Sequence, residues 1–377
     1  MHPLLIAYSI DPVSGYGTMA DCHCRALLEK NIPFTLLLPR SAKRVAVPYA
    51  SNIRYILPLL PFTFNSFYDV ARLPLLYAPI SLAGISPTIV HSLVDFPYAS
   101  LGFRIARKRH LPFIFSAVGT YSVAPFGNWI DKRLFMPAYM NATRILAISY
   151  FTAQAMQEAA GYSRSVDVLY SPAAEPKRPV SPLPTFPELP VSARVILSIG
   201  PLKERKGMDI LIRALPHVLK VVPAAHIVIV AAYGDVQKYD ALARSCGVSG
   251  HLSIMDAVTT EKLFFLFERS EVFAMTPRRI GDEFEGYGLV YTEAGWHAKP
   301  VIASRSGGAP EAVIDGKTGI LVPENDELKT ARALIAVLQD GAYAARLGRG
   351  GYDLALSRCI AAYAGAVVRL YGSQGNK

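Results

Sequence analysis

The sequence predicts an α/β chain of two domains of similar size, each built on a parallel sheet covered by helices on both faces. Three observations predict it. Short apolar runs recur along the 377 residues with helix-like segments between them, as expected of strands buried on both faces. The alternation stops where seven prolines fall between Pro172 and Pro190, and then restarts. In each half, a glycine-bearing turn follows the first apolar run and opens a helix-like segment.

In order along the chain, Leu4 to Ser9 reads as a strand and Thr18 to Lys30 as a helix. Phe34 to Leu38, Thr88 to His91, Phe113 to Ala117 and Leu146 to Ser149 read as further strands, the last followed by a helix. The prolines make a semi-rigid, non-helical linker over 173–190. Beyond it Arg194 to Ile199 is a strand, Asp209 to Val221 a helix and His226 to Val230 a strand, with Val272 to Met275 and Pro300 to Ala303 after them. Cys359 to Tyr371 is an apolar helix. The expected units are an N-terminal domain over 1–172, a C-terminal domain over 191–355, and a helix within 356–377 that packs back on the first. In open α/β sheets ligands bind at the carboxyl ends of the strands, so two such Rossmann-like sheets are expected to face each other across a cleft.

Composition narrows the function classes. A hydrophobic fraction of 51% with 18% charged residues excludes a disordered chain. The apolar run Leu4 to Ala7 is too short for an export signal. The longest uncharged stretch, Leu73 to Val94, contains Pro74, Pro79, Gly84 and Pro87, so it is expected to be a buried helix followed by a strand rather than a membrane span. Four scattered cysteines fit a reducing cytoplasm. Cys22-His23-Cys24 resembles a metal cluster, but residues i and i+2 on a helix point about 200° apart and no second pair lies nearby; ordinary helix residues are expected and no metal site. Residues 1–180 carry 17 Lys/Arg against 9 Asp/Glu, and the remainder 22 against 20. The basic first half is expected to meet something anionic, such as a phospholipid surface. Its cluster Arg104, Arg107, Lys108, Arg109 and His110, with Lys132 and Arg133 further on, places i, i+3 and i+4 cations on one helix face, near the apolar Phe62, Phe64, Phe67 and Tyr68. The cations do not interleave with aromatics in an RNA-binding signature, so nucleic acid is not an expected partner.

Three constellations carry chemistry. Ser14-Gly15-Tyr16-Gly17 follows the first strand, and glycines there let main chain approach a phosphate or sugar oxygen; a simple tight turn explains it about as well. Gly200 to Gly207 places Arg205 and Lys206 beside each other before a helix, a pocket for a diphosphate and a source of charge for a departing one, or else a solvated turn. Glu285 and Glu293 lie eight residues apart, about 80° from each other around a helix, and so serve one ligand only if Glu285 sits in the loop before the helix. There Glu285 would hold sugar hydroxyls with the amides of Gly286, Tyr287, Gly288, Leu289 and Val290, and Glu293 ribose hydroxyls. Two glycines at a helix start cost stability and need a reason.

The segments Gly200 to Gly207 and 278–322 resemble the retaining glycosyltransferases of family 4, which have the GT-B fold. The resemblance lies in Glu285 and Glu293 with seven residues between, in Gly307-Gly308-Ala309-Pro310-Glu311, and in Asp315-Gly316-Lys317-Thr318-Gly319-Ile320-Leu321-Val322. Residues 1–170 match more loosely, through Gly15-Tyr16-Gly17, Gly119-Thr120-Tyr121 and Ala147-Ile148-Ser149. The stretch Glu285 to Glu293 is similar to that of phosphatidylinositol mannosyltransferases.

The resemblance implies a hexose moved, with retained configuration, from a nucleotide-sugar (GDP-mannose or a UDP-sugar) to a saccharide or lipid-linked acceptor. Lys206 and Arg205 would hold the diphosphate, Glu285 and the following amides the hexose, Glu293 the ribose, and the loop from Met255 to Val258 the base. Gly15 and Gly17 would contact the donor, and Val118 and Gly119 the sugar side. No cofactor is implied, and the absence of an Asp-x-Asp pair goes with a metal-independent reaction. Two positions depart from the pattern: Pro201 stands where the family has an arginine, for which Arg205 would substitute, and Val118 stands where it has a histidine. Those departures motivate the alternative, a non-catalytic relative that binds nucleotide-sugar or carbohydrate. The expected location is the cytoplasm, at the inner face of the membrane if the basic half docks there.

Overall fold

The computed structural model describes residues 1–12, 14–176, 178–179 and 189–372. Much of the linker predicted over 173–190 lies outside the described residues. Met1–Ala173 together with Arg358–Lys377 form one compact unit, and Ala174–Ser357 form another.

Unit 1 holds seven parallel strands: β1 (Pro3–Ile6), β2 (Thr35–Pro39), β3 (Ile53–Leu57), β4 (Ile89–Ser92), β5 (Phe113–Ala117), β6 (Arg144–Ala147) and β7 (Asp167–Val168). Their order is β3-β2-β1-β4-β5-β6-β7, so the winding reverses between β1 and β4. All four residues of β1 and all five of β2 and β5 are buried, as the continuous apolar runs require. Its helices are α1 (Gly15–Glu29), the single turns α2 (Phe67–Val70) and α3 (Leu73–Leu76), α4 (Tyr98–Arg109), α5 (Thr120–Val123), α6 (Trp129–Asn141) and α7 (Tyr150–Ala160).

Unit 2 holds β8 (Arg194–Ile199), β9 (Ala225–Val230), β10 (Leu252–Met255), β11 (Ser270–Met275), β12 (Val301–Ser304) and β13 (Gly319–Val322), in the order β10-β9-β8-β11-β12-β13 and again parallel. Its reversal lies between β8 and β11. Its helices are α8 (Met208–Leu219), α9 (Val236–Ser245), α10 (Thr260–Arg269), α11 (Leu289–Trp296), α12 (Ala309–Ala312), α13 (Glu327–Gln339) and α14 (Gly341–Ser357); α15 (Ile360–Gly372) returns to unit 1.

Several expectations are corrected. Leu73 to Val94 is not a buried helix before its strand: α3 is one turn with only Leu76 buried, because Pro74 sits in its first turn and Pro79 follows soon after. The edge strand β3 and the two-residue β7 were not predicted; Arg54 and Tyr55 break the apolar run in β3, whose outer edge needs no full burial. Phe64 is core, and Phe62 is half-buried among other aromatics rather than free for an interface. Arg104 does not share an exposed face with Arg107 and Lys108, since its guanidinium stacks on Tyr77 and donates to the Leu76 carbonyl.

By length and composition alone Gly341–Gly372 would pass for a membrane span. In the fold α14 lies against α11 and glycines line their approach: a Cβ on Gly295 of α11 would sit 2.6 Å from the Gly351 carbonyl oxygen of α14.

Helix α15 fastens to unit 1 through a buried polar chain. Tyr363 and Tyr371 hydroxyls meet the two ring nitrogens of His23 at 2.9 Å each. Tyr371 also meets His91 Nδ1 at 2.6 Å, and His91 Nε2 meets Ser116 Oγ at 3.1 Å. Thus Cys22-His23-Cys24 is ordinary helix sequence with one member, His23, turned to a structural use. Burial holds His23 down to about 3 and His91 well below its ordinary value, so both rings are neutral in the fold. The unfolded chain takes up those protons through about pH 6.5. Stability from this chain is therefore complete above that pH and declines as pH falls, by about 2 kcal/mol from His23 alone at pH 5. Chemical unfolding at pH 7.5 and pH 5 should show this loss, and a His23→Gln variant should show a smaller one.

Candidate functional site

The second unit collects its charged groups at the carboxyl ends of β8 and β11, where the winding reverses. Strand β8 ends at Ile199 and the chain turns through Gly200 and Pro201 into a 3-10 turn, Glu204–Lys206, one residue short of α8. Arg205 and Lys206 therefore precede the helix rather than form its first turn. Gly207 follows at φ 71°, where a Cβ would lie 1.8 Å from the Thr276 carbonyl oxygen, so only glycine fits. Thr276 Oγ1 donates to the Gly207 carbonyl at 2.9 Å, and Arg278 N donates to the Arg205 carbonyl at 2.8 Å. The loops after β8 and β11 are thereby locked together.

Into this frame Glu285 projects from the loop before α11, with only 8% of its surface exposed. Its Oε2 is 2.5 Å from Lys206 Nζ and 3.3 Å from an Arg205 guanidinium nitrogen, which also donates to the Phe284 carbonyl at 3.3 Å. A solvated turn is thus not what the structure shows; both cations are largely buried. Burial pushes the Glu285 carboxyl up, but Lys206 and Arg205 outweigh it and hold the group below its ordinary value. Burial also draws the Lys206 ammonium down, against the pull of Glu285. Two cations and one carboxylate share one small volume, a set suited to a ligand that carries both an anion and hydroxyl groups.

The glycine pair at 307 and 308 explains how Glu285 is placed. Gly307 adopts φ 55°, and a Cβ there would come within 2.3 Å of the Glu285 carbonyl oxygen; Gly308 N donates to that oxygen at 2.8 Å. Gly288 precedes α11 at φ 87° against the Tyr291 ring, whose hydroxyl donates to the Met275 carbonyl at 3.0 Å. Where α9, α10 and α13 begin on capping side chains, Asp235, Thr259 and Asp326, the site-facing α8 and α11 begin on glycines with no side-chain cap. Their first amides are left to other acceptors. Tyr287 is buried beside this turn, Leu289 and Val290 open α11, and Glu293 lies inside it, half-buried and pushed up to about 7 by burial. Val258 lies half-buried in the loop between β10 and α10.

Sequence reasoning missed the support of this site. Arg278 is buried and donates to Asp209 Oδ2 at 3.0 Å and Asn325 Oδ1 at 3.1 Å, with Glu204 3.3 Å away. No local motif announces it, because its partners come from loops distant in sequence.

Gly15, Gly17, Val118 and Gly119 belong to unit 1, at the carboxyl ends of β1 and β5. Gly17 is sterically required, since a Cβ would fall 2.0 Å from the Asp11 carbonyl oxygen, whereas Gly15 has open space around its Cα. Ser14 caps α1 by accepting from Gly17 N at 3.0 Å. Tyr16 and Tyr121, which flank these glycines, approach to 6.5 Å between rings, so the two turns are neighbours. The unpredicted Asp95, after β4, accepts from Val118 N at 3.1 Å and from Ser122 Oγ at 2.7 Å; burial pushes its carboxyl up to about 7. Among the described residues no three His, Cys, Asp or Glu side chains converge in a metal-binding group.

Comparison with known proteins places these features. Residues 185–354 match the model of the family described as glycosyl transferases group 1. The GDP-mannose-dependent alpha-(1-6)-phosphatidylinositol monomannoside mannosyltransferase of Mycolicibacterium smegmatis is 38% identical over 164 residues, 43% of this chain and 43% of that protein. The D-inositol 3-phosphate glycosyltransferase of Corynebacterium diphtheriae is 30% identical over 190 residues, covering 49% and 43%. The chain therefore spans less than half the length of these curated relatives in the match. Among solved structures, sucrose-phosphate synthase from Thermosynechococcus elongatus aligns at a TM-score of 0.79 and 18% identity over 99% of each chain. HepE of Anabaena, solved with UDP and glucose, aligns at 0.77 and 16% identity over 99% of this chain and 100% of its own. At such identity the likeness is one of fold. Residues 185–354 thus match the glycosyl transferases group 1 family, and the chain as a whole carries the GT-B fold of the solved structures it resembles.

Proposed function

We propose that this chain is a glycosyltransferase that moves a hexosyl group from a nucleotide-sugar to an acceptor hydroxyl, with retained configuration and without a divalent metal. The observation that carries the reading is the buried cluster of Lys206, Arg205 and Glu285 at the switch point of a sheet whose sequence matches the glycosyltransferase family. A nucleotide-sugar supplies what this cluster is suited to hold: a diphosphate for the cations and vicinal hydroxyls for the carboxylate.

In the reaction, the bond between the anomeric carbon and the phosphate oxygen breaks, and negative charge grows on the diphosphate. Lys206 and Arg205 stabilise that charge in a place shielded from water, where fixed cations act most strongly. The acceptor oxygen bonds to the anomeric carbon on the same face, and its proton passes to the departing phosphate oxygen. Glu285 holds the sugar hydroxyls and Glu293 the ribose; Arg205 supplies the cation that Pro201 does not. The names of the mannosyltransferase relatives support GDP-mannose as donor.

The hexosyl acceptor is proposed to be lipid-linked, with unit 1 docking on an anionic bilayer in the cytoplasm. Asp131 at the start of α6 accepts from Thr63 and from Phe64 N, which fixes the loop leading to α2 beside α6. Phe67 and Tyr68 on α2 and Trp129 on α6 are 84%, 81% and 76% exposed. Lys132 and Arg133 are exposed on the same helix. Exposed aromatics beside cations suit a membrane interface, each cation adding about 1 kcal/mol at an anionic surface.

Lys206→Ala should lower kcat for release of nucleoside diphosphate by tens-fold or more, as a charge-assisted contact to the leaving group is lost; wild-type rates in steady-state kinetics would remove Lys206 from this role. Transfer should persist in excess chelator, and a strict need for magnesium or manganese would overturn the metal-free step. A chain that binds nucleotide-sugar and never releases the diphosphate would be the non-catalytic relative instead. Vesicle co-sedimentation should show binding to anionic and not neutral lipid, lost at high salt and weakened by Trp129→Ala; indifference to both vesicle types would point to a soluble acceptor.

A further inference from the structure

A cavity between α8 and α9 is separate in its lining from the diphosphate cluster. It measures about 460 Å³ and is open to solvent, and Lys206, Glu285 and Glu293 are not among its lining residues. Sites of this size hold small molecules. Asp209 and Arg213, one turn apart, line it from α8, and Lys238 and Leu242, with the same spacing, line it from α9. Glu204 and Arg278 complete the set from the loops after β8 and β11. The cavity lies wholly within unit 2, so its walls belong to one compact body.

Its charges are unevenly paired. Asp209 Oδ2 and Glu204 Oε1 both meet the buried Arg278 guanidinium, at 3.0 and 3.3 Å. Lys238 Nζ comes no nearer to Glu204 than 3.9 Å. Arg213, exposed on α8, has no ion-pair partner among the described residues. Three cations therefore face two carboxylates, and the surplus sits on the exposed side chains. The wall also holds unused hydrogen-bonding capacity. Asp209 Oδ1 is buried and has no hydrogen-bond partner. Tyr239 is buried beside Asp209 and Arg278, its hydroxyl pushed up to about 12 by burial and then by Asp209, so it stays a neutral donor and acceptor.

An anion answers the first feature and hydroxyl groups answer the second. Two flexible cations on neighbouring helices can close on a phosphate, and hydroxyls donate to carboxylate oxygens that Arg278 leaves partly unused. The aliphatic lining is Ala241 and Leu242, too little surface for a nucleobase to stack on. We propose that the cavity between α8 and α9 binds a phosphate monoester of a sugar or polyol, as a second ligand site beside the diphosphate cluster. Such a ligand borders the turn that carries Arg205 and Lys206: Glu204 opens that turn, and Arg278 N donates to the Arg205 carbonyl at 2.8 Å. The site stands on its own lining and does not depend on the transferase reading.

Titration calorimetry on the whole chain tests it, with mannose 6-phosphate, inorganic phosphate and mannose as separate probes. Mannose 6-phosphate should bind at least about tenfold more tightly than either part alone, since both halves of the site are then engaged. Joint replacement Arg213→Ala and Lys238→Ala should weaken its binding about tenfold or more, and both positions are exposed, so the variant should unfold at the wild-type temperature. Ala241→Trp, which fills the cavity and leaves every charge in place, should weaken binding as much and carries the test if the double variant does not fold. Lys206→Ala should leave binding within about threefold. Unchanged affinity in the double variant or in Ala241→Trp overturns the proposal, and so does loss of binding in Lys206→Ala, which would put the ligand in the diphosphate cluster. Inorganic phosphate binding as tightly as mannose 6-phosphate overturns it too, in favour of a site for the free ion. A chain that binds mannose 6-phosphate here yet never turns over a nucleotide-sugar would refute the transferase reading and leave this one standing.

Discussion

Glu285 is the group on which the rest of the second unit is organised. A carboxylate with so little contact with water stays charged only because Lys206 and Arg205 lie against one of its oxygens. Those cations are in turn held by main chain, through the glycine at 207 against Thr276 and through the Arg205 carbonyl against Arg278. Removing the carboxylate takes away the partner both cations share, and removing either cation leaves the carboxylate with one, so the three behave as a unit. The protein gains no obvious stability from such a cluster that apolar residues could not supply. Its retention is understandable if a ligand with matching charges takes over some of these contacts.

The two units solve the same problem with different means. At the reversal point of unit 2 the charges are exposed to each other and the loops are pinned by glycines in close contact with backbone oxygens. Among the described residues of unit 1 no comparable charge cluster occurs. At its reversal point a buried acid, Asp95, anchors a turn through neutral donors, and half-buried aromatic rings at Tyr8, Tyr16, Phe62 and Tyr121 surround the adjacent loops. The first arrangement suits binding of an anion, the second suits orientation of hydroxyls and flat apolar faces.

Much of the fold was legible because parallel strands buried on both faces are continuous apolar runs, and β5 and β8 begin and end where those runs do. Strands at the sheet margins were not legible, since β3 carries Arg54 and β7 is only two residues long. Lys206 and Arg205 stood out as adjacent cations before a helix, and Glu285 because Gly286 and Gly288 are glycines that a helix start does not need. Asp95, Arg278 and Asp209 did not, because their partners are brought to them by topology and no spacing in the sequence encodes it. The exposed Phe67 and the buried Phe64 look alike in one dimension; only the tether from Asp131 distinguishes them.

The return of α15 to unit 1 has a bearing on how the chain is made. Residues 174–357 are contiguous and can complete their own fold as soon as they have left the ribosome. Unit 1, although synthesised first, waits with both His23 ring nitrogens and His91 Nδ1 unsatisfied and an apolar groove along α1 open until Tyr363 and Tyr371 emerge. During that interval its core is incomplete and attractive to chaperones or to other nascent chains. Maturation of the first unit is thus timed by translation of the whole of the second.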